Sequence, residues 1–331
     1  MAKALVLIAP GLLARPDETL AAMPALRRLA AYADAGVAAA PDVVHALFAA
    51  LAMRVDTPTG PLALLGKGGD PGDDYVLCAA PVELAPGAGD SVEVRGVSEI
   101  PAADADRLVR MLDRHFANDD LRFEALHGTP WFARRTQASV VTMTSPAAAH
   151  GRALAASLPQ GEDAARWRRW QDEIAMMLHD DPINRAREAA ELPPVSGVWF
   201  FGGGRLCDVD APPRVLLAGV EGWVGDVARG LVRRRDPDDV TPETGLAATL
   251  ARAADVPGEA TTHVVATTPP GAEEDLLERA LAHLEARDVD VLHLVAAGRR
   301  GAMAWRARAP TRMRRLFARA RPRALPLQPA S

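Results

Sequence analysis

A short segment in the second half of the chain combines an amide and a guanidinium at helical spacing. Asn184 and Arg187 lie three residues apart in the run that follows Pro182. Residues three apart share one face of a helix, so the two side chains are expected side by side. A guanidinium binds phosphate or carboxylate in bidentate fashion, and an amide adds a further donor. The pair predicts an anion site, although the spacing equally favours an ion pair between Arg187 and a surface acid.

A glycine run follows this segment. Gly202, Gly203 and Gly204 come directly after the apolar run Val198–Phe201, and Arg205 follows them. A glycine-rich turn brings backbone amides close to an anion because no Cβ stands in the way. The pattern is not the G-x-G-x-x-G of a dinucleotide-binding loop, and it favours a structural turn over an anion cradle. We predict a ligand-binding set of Asn184, Arg187, Gly202, Gly203, Gly204 and Arg205.

The ends of three predicted strands carry no residue suited to catalysis. In open α/β sheets the chemistry lies beyond the carboxyl ends of the strands. These ends read Ala9-Pro10-Gly11, Thr267-Thr268-Pro269-Pro270 and Ala296-Ala297-Gly298. A two-metal site for phosphoryl transfer needs carboxylate and imidazole ligands at such positions. We therefore predict no catalytic residue, no metal site and no cofactor.

Histidines and glycine-rich loops elsewhere do not change this prediction. His263, His283 and His293 are isolated within apolar strand or helix patterns, which predicts packed side chains rather than metal ligands. The run from Gly60 to Lys67 departs from a P-loop in its spacing, and no hydroxyl residue follows the lysine. The chain contains no G-x-S-x-G nucleophile elbow.

Aliphatic strand patterns alternate with amphipathic helices toward both ends of the chain. A continuous aliphatic run indicates a strand that is buried on both faces, as in a parallel sheet. The predicted strands are Leu5–Ile8, Val198–Phe201, Val215–Val220, His263–Thr267 and Val289–Val295, and the predicted helices are Leu20–Tyr32, Val43–Met53, Trp223–Arg233 and Glu273–Arg287. Asp42 is the expected N-cap of the second helix. The alternation predicts a doubly wound, mainly parallel α/β sheet.

A different pattern separates these two groups of elements. Between them we predict strands over Tyr75–Val82, Ser91–Val97 and Ser139–Thr144, with helices over Ala103–Phe116 and Asp163–Asp181. Strands and helices do not alternate there, which is typical of an α+β arrangement. We therefore expect a discontinuous α/β core formed by residues 1–65 and 195–331, with residues 66–194 inserted as an α+β domain.

Composition restricts the class of protein. The sequence has 331 residues, of which 49% are hydrophobic and 24% charged, a mixture too apolar for a disordered protein. No window has the roughly 18 apolar residues of a membrane-spanning helix, and the first apolar run is too short for a secretory signal. Cys78 and Cys207 are too few for a disulfide framework. We expect a soluble cytoplasmic protein without a membrane span.

The charges are unevenly distributed. All but two of the 38 cationic residues are arginine, and the net charge is −5. The segment Arg299–Arg323 contains ten arginines and no acidic residue, and Met313–Arg319 within it has the pattern of a short amphipathic helix. Several interpretations stay open: a packed and solvated helix, neutralisation of the acidic remainder of the same chain, a surface for an anionic partner, and a membrane-surface segment. No motif for specific nucleic-acid recognition accompanies it.

Several blocks of the sequence resemble a known family. The run Trp170–Glu188, with Leu192-Pro193 and Val198–Gly204, is similar to the RpfE-type regulatory proteins of proteobacteria. Those proteins are related to the archaeal-type cofactor-independent phosphoglycerate mutases of the alkaline phosphatase superfamily. Tyr75–Leu84 and Pro130–Arg134 fit the same branch, and the 170–204 block is the specific part. The resemblance implies an alkaline-phosphatase-like α/β core with an inserted domain.

The resemblance also implies that an active site has been lost. The mutases hold two divalent metals through an Asp after the first strand and Asp/His motifs on later strands, and they use a nucleophilic hydroxyl. This sequence has Ala9-Pro10-Gly11, Thr267–Gly271 and Ala296–Arg299 at the corresponding places, and no nucleophile is identified. It also departs from the regulatory branch, with Ala175 where Gln is usual and Ser196-Gly197 where Asn-Ser is usual.

These observations lead to one functional hypothesis and two alternatives. The hypothesis is a non-catalytic regulatory or ligand-sensing protein that has lost its metal ligands and binds a phosphorylated small metabolite through Arg187, Asn184 and the amides near Gly203. The first alternative is an active phosphoglycerate mutase or phosphatase with relocated metal ligands. The second is a protein-interaction module that uses the basic segment Arg299–Arg323.

Overall fold

A computed structural model describes residues 3–87, 91–97, 100–150, 152–237, 244–255, 261–268, 271–298 and 301–311. The chain forms two compact units. The discontinuous unit comprises Met1–Asp56 and Ala211–Ser331, and the continuous unit comprises Thr57–Asp210. Each unit combines helices with a sheet, and the sheet of the discontinuous unit is mainly parallel. The α/β class with a mainly parallel sheet is thereby confirmed.

The discontinuous unit is built on a sheet of six described strands. They are β1 (Lys3–Ala9), β2 (Ala33–Ala40), β9 (Arg214–Ala218), β10 (Thr262–Thr267), β11 (Val291–Gly298) and β12 (Gly301–Arg308), numbered in chain order. Their order in the sheet is β2-β12-β11-β1-β10-β9. β11, β1, β10 and β9 are parallel, whereas β12 and β2 continue the sheet with antiparallel pairing. The parallel strands are predominantly aliphatic because helices cover both of their faces.

Helices pack on both faces of this sheet. They are α1 (Asp17–Ala22), α2 (Pro24–Tyr32), α3 (Val43–Ala50), α10 (Gly222–Arg235), α11 (Leu246–Asp255) and α12 (Glu273–Ala286). Alternate residues of β1 point to opposite faces. Leu5, Leu7 and Ala9 join one core with α2, α11 and α12. Val6 and Ile8, on the other face, are also fully buried, and α3 packs on β1 there.

Local sequence accounts for the starts of two of these helices. The Asp42 carboxylate accepts hydrogen bonds from the backbone N–H groups of Val44 and His45, which confirms the predicted N-cap of α3. The predicted helix Leu20–Tyr32 is divided into α1 and α2. Pro24 has no N–H with which to continue a helix, and it occupies the first position of the next one instead.

The continuous unit is built around one long strand, β3 (Tyr75–Pro86). It pairs antiparallel with β4 (Ser91–Gly96), β6 (Trp131–Arg135) and β8 (Gly197–Gly204), and β5 (Arg122–Glu124) and β7 (Arg152–Ala153) extend the sheet. The helices are α4 (Thr59–Gly66), α5 (Ala102–His115), α6 (Pro146–Ala149), α7 (Leu154–Ser157), α8 (Ala164–His179) and α9 (Pro182–Ala189). A buried aromatic cluster joins α5 and α8 to the sheet through Phe116, Trp131, Trp167, Trp170 and Phe200.

Two expected strands are corrected by the structure. Val198–Phe201 is expected in the parallel sheet, but it belongs to β8 and pairs antiparallel with β3. An apolar run that is buried on both faces does not reveal which sheet it joins. The expected strand Ser139–Thr144 is mostly irregular, with an isolated bridge between Thr142 and Gln160. Its first residue uses its hydroxyl for contacts with Arg135 and Trp167.

The boundaries of the units also differ from the expected positions. The units change at residues 56/57 and 210/211, rather than at 65/66 and 194/195. The reason is that α4 and β8 both pack on β3, so the two segments belong with the continuous unit. Neither segment carries a charge or composition change that would mark it as part of that unit.

Some predicted features lie outside the described residues. The predicted helix Met313–Arg319 is one of them, together with Arg299, Arg300 and the rest of the basic segment beyond Thr311. Pro269-Pro270, after β10, is another. Across the described ranges, no helix has both the length and the apolar character needed to cross a membrane.

Candidate functional site

The carboxyl edge of the parallel sheet is where an α/β protein usually does its chemistry. β1 and β10 end side by side there, because Ile8 is paired with Thr267. The Thr268 N–H donates to the Ile8 carbonyl at 2.8 Å. The Thr267 hydroxyl donates to the Gly219 carbonyl at 2.9 Å and accepts from the Glu221 N–H at 3.3 Å. The Thr267 hydroxyl and these backbone groups are therefore hydrogen-bonded to one another within the discontinuous unit.

A buried carboxylate lies at this edge, and it is already paired with a cation. Glu273 is the first residue of α12 and is 5% exposed. Its Oε2 accepts a hydrogen bond from Arg15 Nη2 at 2.7 Å. An ideal Cβ on Gly11 would lie 4.0 Å from Glu273 Oε1, so the carboxylate borders the loop that follows β1. A guanidinium stays protonated in proteins, so the charge of Glu273 is neutralised by the chain itself.

The start of α12 explains why a carboxylate lies here. The helix begins with Glu273, Glu274 and Asp275. The N-terminal end of a helix carries partial positive charge, which stabilises carboxylates. Glu274 Oε1 accepts a hydrogen bond from the Ala25 N–H at 2.8 Å, at the start of α2. The acidic first turn of α12 therefore forms hydrogen bonds both with Arg15, which follows β1, and with the start of α2.

The described residues offer no metal centre. In these ranges no three His, Cys, Asp or Glu side chains come together in a way that could hold a metal ion. His283 lies at the end of α12, where its Nδ1 is 2.9 Å from an oxygen of Asp288. His263 and His293 lie near the starts of β10 and β11, toward the opposite edge of the sheet. These three histidines therefore lie away from the carboxyl edge.

Asn184 and Arg187 bind the backbone of the segment that leads into β8. Asn184 Nδ2 donates to the carbonyls of Leu178 (2.8 Å) and Val195 (3.0 Å), and its Oδ1 accepts from the Val195 N–H (2.8 Å). Arg187 is buried, and its Nε donates to the Pro193 carbonyl at 2.6 Å. Both side chains hold the returning chain against α9. Their contacts provide a structural reason for the three-residue spacing.

The glycine run allows α4 and β8 to approach each other closely. Gly202, Gly203 and Gly204 are the last residues of β8. A Cβ on Gly202 would collide with the Thr59 hydroxyl, and a Cβ on Gly204 would collide with Pro58. Gly202 also has a φ of +66°, which residues with a side chain adopt at a cost. Packing therefore explains the run without an anion.

Arg205 also binds the backbone of its own unit. Its Nη1 donates to the Asp73 carbonyl at 2.6 Å and its Nη2 donates to the Thr136 carbonyl at 2.8 Å. The Arg205 N–H donates to Asp208 Oδ2 at 3.0 Å. The guanidinium thus ties the end of β8 to two other segments of the continuous unit.

The structure does not bring the six predicted ligand residues together at one place. Asn184 and Arg187 bind the chain just before β8, whereas the glycine run is at the other end of that strand. Gly197 and Gly203 are six residues apart in β8, which corresponds to about 20 Å at a rise of about 3.3 Å per residue. A phosphate group is only a few ångströms across. One small anion does not bridge this separation.

Neither Arg15 nor Glu273 stands out in the sequence. They are 258 positions apart and belong to no recognisable motif. The acidic residues at the start of α12 indicate a helix N-terminus but name no partner. The parallel pairing of β1 with β10 places the segments that follow these strands next to each other. Only that long-range pairing brings the two side chains together.

Solved structures of other proteins resemble this chain. No protein-family model matches the sequence, and no curated protein sequence matches it. The structure of the PH0037 protein from Pyrococcus horikoshii is similar, with 16% identity, 94% of this chain and 88% of that chain covered, and a TM-score of 0.49. A cofactor-independent phosphoglycerate mutase from Thermoplasma acidophilum DSM 1728 has 15% identity, with 93% and 89% covered and a TM-score of 0.39. Both similarities extend over nearly the whole chain at low identity.

Proposed function

We propose that this protein is a non-catalytic regulatory or ligand-sensing protein with an alkaline-phosphatase-like core, related to the metal-dependent phosphoglycerate mutases. The observation that carries the proposal is the Arg15–Glu273 pair at the carboxyl edge of the sheet. A guanidinium 2.7 Å from the buried carboxylate supplies the positive charge that a divalent metal would supply to such a group. The resemblance of the 170–204 block supports the same relationship.

The side chains at this edge do not fit a pair of divalent metals. Two such ions about 4 Å apart need several carboxylate and imidazole ligands, oriented toward one point. Glu273 is directed to Arg15, and a cation placed beside this carboxylate would be repelled by the guanidinium. The Thr267 hydroxyl donates to a backbone carbonyl, so its proton is not directed to a base. No metal-dependent step is therefore assigned to these residues.

The proposal is tested by metal binding and by turnover. The metal-free full chain is titrated with Mn²⁺ by calorimetry, and the Mn²⁺-supplemented protein is assayed with 3-phosphoglycerate and with p-nitrophenyl phosphate. We expect no saturable Mn²⁺ binding and no turnover above that of heat-denatured protein. Turnover that Glu273→Gln abolishes and Glu278→Gln leaves intact would refute the proposal. Glu278 is a matched control because it lies on the same helix and pairs with Arg28.

A further inference from the structure

A cavity opens at the amino edge of the sheet in the discontinuous unit, opposite to the carboxyl edge. Its volume is about 490 Å³, within the range of small-molecule sites. The starts of β1, β10 and β11, the end of β12 and the end of α3 form its walls. Much of the wall is alanine, contributed by Ala4, Ala49, Ala50, Ala52 and Ala304. Small side chains therefore leave the space open, and a few polar groups determine its chemistry.

Two histidines face this cavity from the strands on either side of β1. Ala4 is paired with His263 on β10, and with Val291 on β11, two residues before His293. Alternate residues share a face, so both imidazoles project on the Ala4 side of the sheet. Strand spacing and rise place the two Cα atoms about 12 Å apart. Both histidines and Ala4 line the cavity, whose volume is sufficient for a phosphate or carboxylate group.

The imidazole of His263 has an unused polar atom. His263 is 8% exposed, and its Nδ1 has no hydrogen-bond partner among the described residues. A buried polar atom without a partner is costly unless a ligand or water satisfies it. Burial lowers the pKa of His263, so the ring is neutral near pH 7 and one of its nitrogens carries a proton to donate. In the tautomer with the proton on Nδ1, an oxyanion that accepts this hydrogen bond removes the cost.

The charges beside the cavity are positive. Arg306 is paired with His293 across β11 and β12, so the two residues share a face. Burial, followed by the charges of Arg306 and His263, lowers the pKa of His293 to about 4, against the opposite effect of Asp34. Lys3 is a second cationic residue in the wall, and no carboxylate is among the described residues that line the cavity. An anion in the cavity is attracted by both cations.

We propose that this cavity binds the oxyanionic group of a small metabolite, a phosphate or a carboxylate, between His263, His293 and Arg306. The role of this site in ligand sensing rests on the proposed function. The inference deepens that function by assigning its ligand site to residues away from the carboxyl edge of the sheet. The Arg15–Glu273 pair lies at the other edge of the same sheet. A failure to bind anions would therefore refute this inference alone, whereas detection of turnover would refute the proposed function.

The experiment uses the full chain, with inorganic phosphate and acetate as the two probes. Calorimetry near pH 7 measures binding, and NMR spectra of the histidine rings report its location. We expect saturable binding of at least one probe, with shifts of the His263 and His293 ring signals. The stronger probe identifies the class of oxyanion. Arg306→Ala should weaken binding about tenfold, as expected for the loss of one charge-assisted hydrogen bond.

Arg308→Ala is the matched control for this substitution. Arg308 is exposed, lies two residues further along β12 and is not part of the cavity wall. Its replacement should change the affinity by less than about twofold, because it does not contact the ligand. His293→Gln, checked for folding by circular dichroism, provides a second variant and should weaken binding as Arg306→Ala does.

Three results would overturn the inference. The first is the absence of saturable binding of both probes at millimolar concentration. The second is unchanged affinity in both Arg306→Ala and His293→Gln. The third is binding that shifts the ring signal of His283, at the end of α12, and leaves those of His263 and His293 in place. None of these results decides the proposed function, which the metal-binding and turnover assays test separately.

Discussion

Replacement of Arg107 by alanine is expected to destabilise the continuous unit through Asp181. Arg107, on α5, donates two hydrogen bonds to the Asp181 carboxylate, from Nη1 to Oδ2 at 2.9 Å and from Nη2 to Oδ1 at 2.6 Å. Asp181 is buried and also caps α9 by accepting from the Ile183 N–H at 2.9 Å. The variant therefore leaves a buried carboxylate that keeps its cap bond and loses its cation.

The magnitude follows from the burial of the two partners. Removal of one member of a fully buried ion pair costs about 3–5 kcal/mol. The Arg107 side chain is 40% exposed, so water screens part of the interaction. We expect the free energy of unfolding to fall by about 1–3 kcal/mol, since the remaining cap bond still stabilises the carboxylate. Urea denaturation followed by tryptophan fluorescence measures this loss, because Trp167 and Trp170 lie in the same unit.

The pH dependence provides an independent check. The hydrogen bonds from Arg107 lower the pKa of Asp181 in the folded protein. A lowered folded pKa means that the pair stabilises the fold above the unfolded pKa of about 3.9, and that this contribution is lost as the pH falls through the folded value. The stability difference between wild type and Arg107→Ala should be constant near neutral pH and should shrink below about pH 4.

An exposed ion pair in the same unit provides the control. Arg169, on α8, is 63% exposed and lies 3.3 Å from Glu173 one turn further along the helix. Arg169→Ala should change the free energy of unfolding by less than about 0.5 kcal/mol. If Arg107→Ala costs no more than this control, or if its effect grows on acidification, then Arg107 does not hold Asp181 as argued.

Three further substitutions test the packing and the carboxyl edge. Asn184→Ala should lower the free energy of unfolding by about 1–3 kcal/mol in urea denaturation, because it leaves buried backbone groups unpaired. Gly202→Ala should lower the melting temperature by about 4 °C or more, because its Cβ meets the neighbouring helix and its φ is positive; Gly197→Ala, in open space, should change it little. Arg15→Ala should cost about 1–3 kcal/mol, and less in a Glu273→Gln background, where a neutral side chain needs no cation. Equal costs in both backgrounds would contradict the pairing.

The parallel part of the fold was predictable because its strands carry a strong local signal. The continuous aliphatic runs within β1, β9, β10 and β11 indicate strands that are covered on both faces, and these strands form the parallel part of the sheet. β2 and β12 were not predicted. The alanine-rich run Ala33–Ala40 has low intrinsic preference for a strand. It becomes one by pairing with β12, some 260 residues away in the chain.

The candidate sites also combine features that the local sequence predicts with features that only long-range contacts decide. The spacing of Asn184 and Arg187 predicted a shared face, but it could not reveal whether the partner is a ligand or the chain itself. That partner is the segment 193–195, which returns along α9. The cavity at the amino edge has an even weaker sequence signal, since His263 and His293 each appear isolated in an apolar strand. Their shared face follows from the registers of both strands with β1.

The sequence by itself determined the local features of this protein: aliphatic strands, helix caps, the absence of acidic residues and histidines at the ends of three predicted strands, and the side chains that share a helix face. The tertiary structure decided which sheet Val198–Phe201 joins, which cation neutralises Glu273, and that two isolated histidines share one face of the sheet. The physical reason is that φ/ψ preferences and periodicity act over a few residues. Strand register and charge pairing instead join segments that lie far apart in the chain, such as Arg15 and Glu273 at a separation of 258 positions, and they depend on the packing of the whole unit.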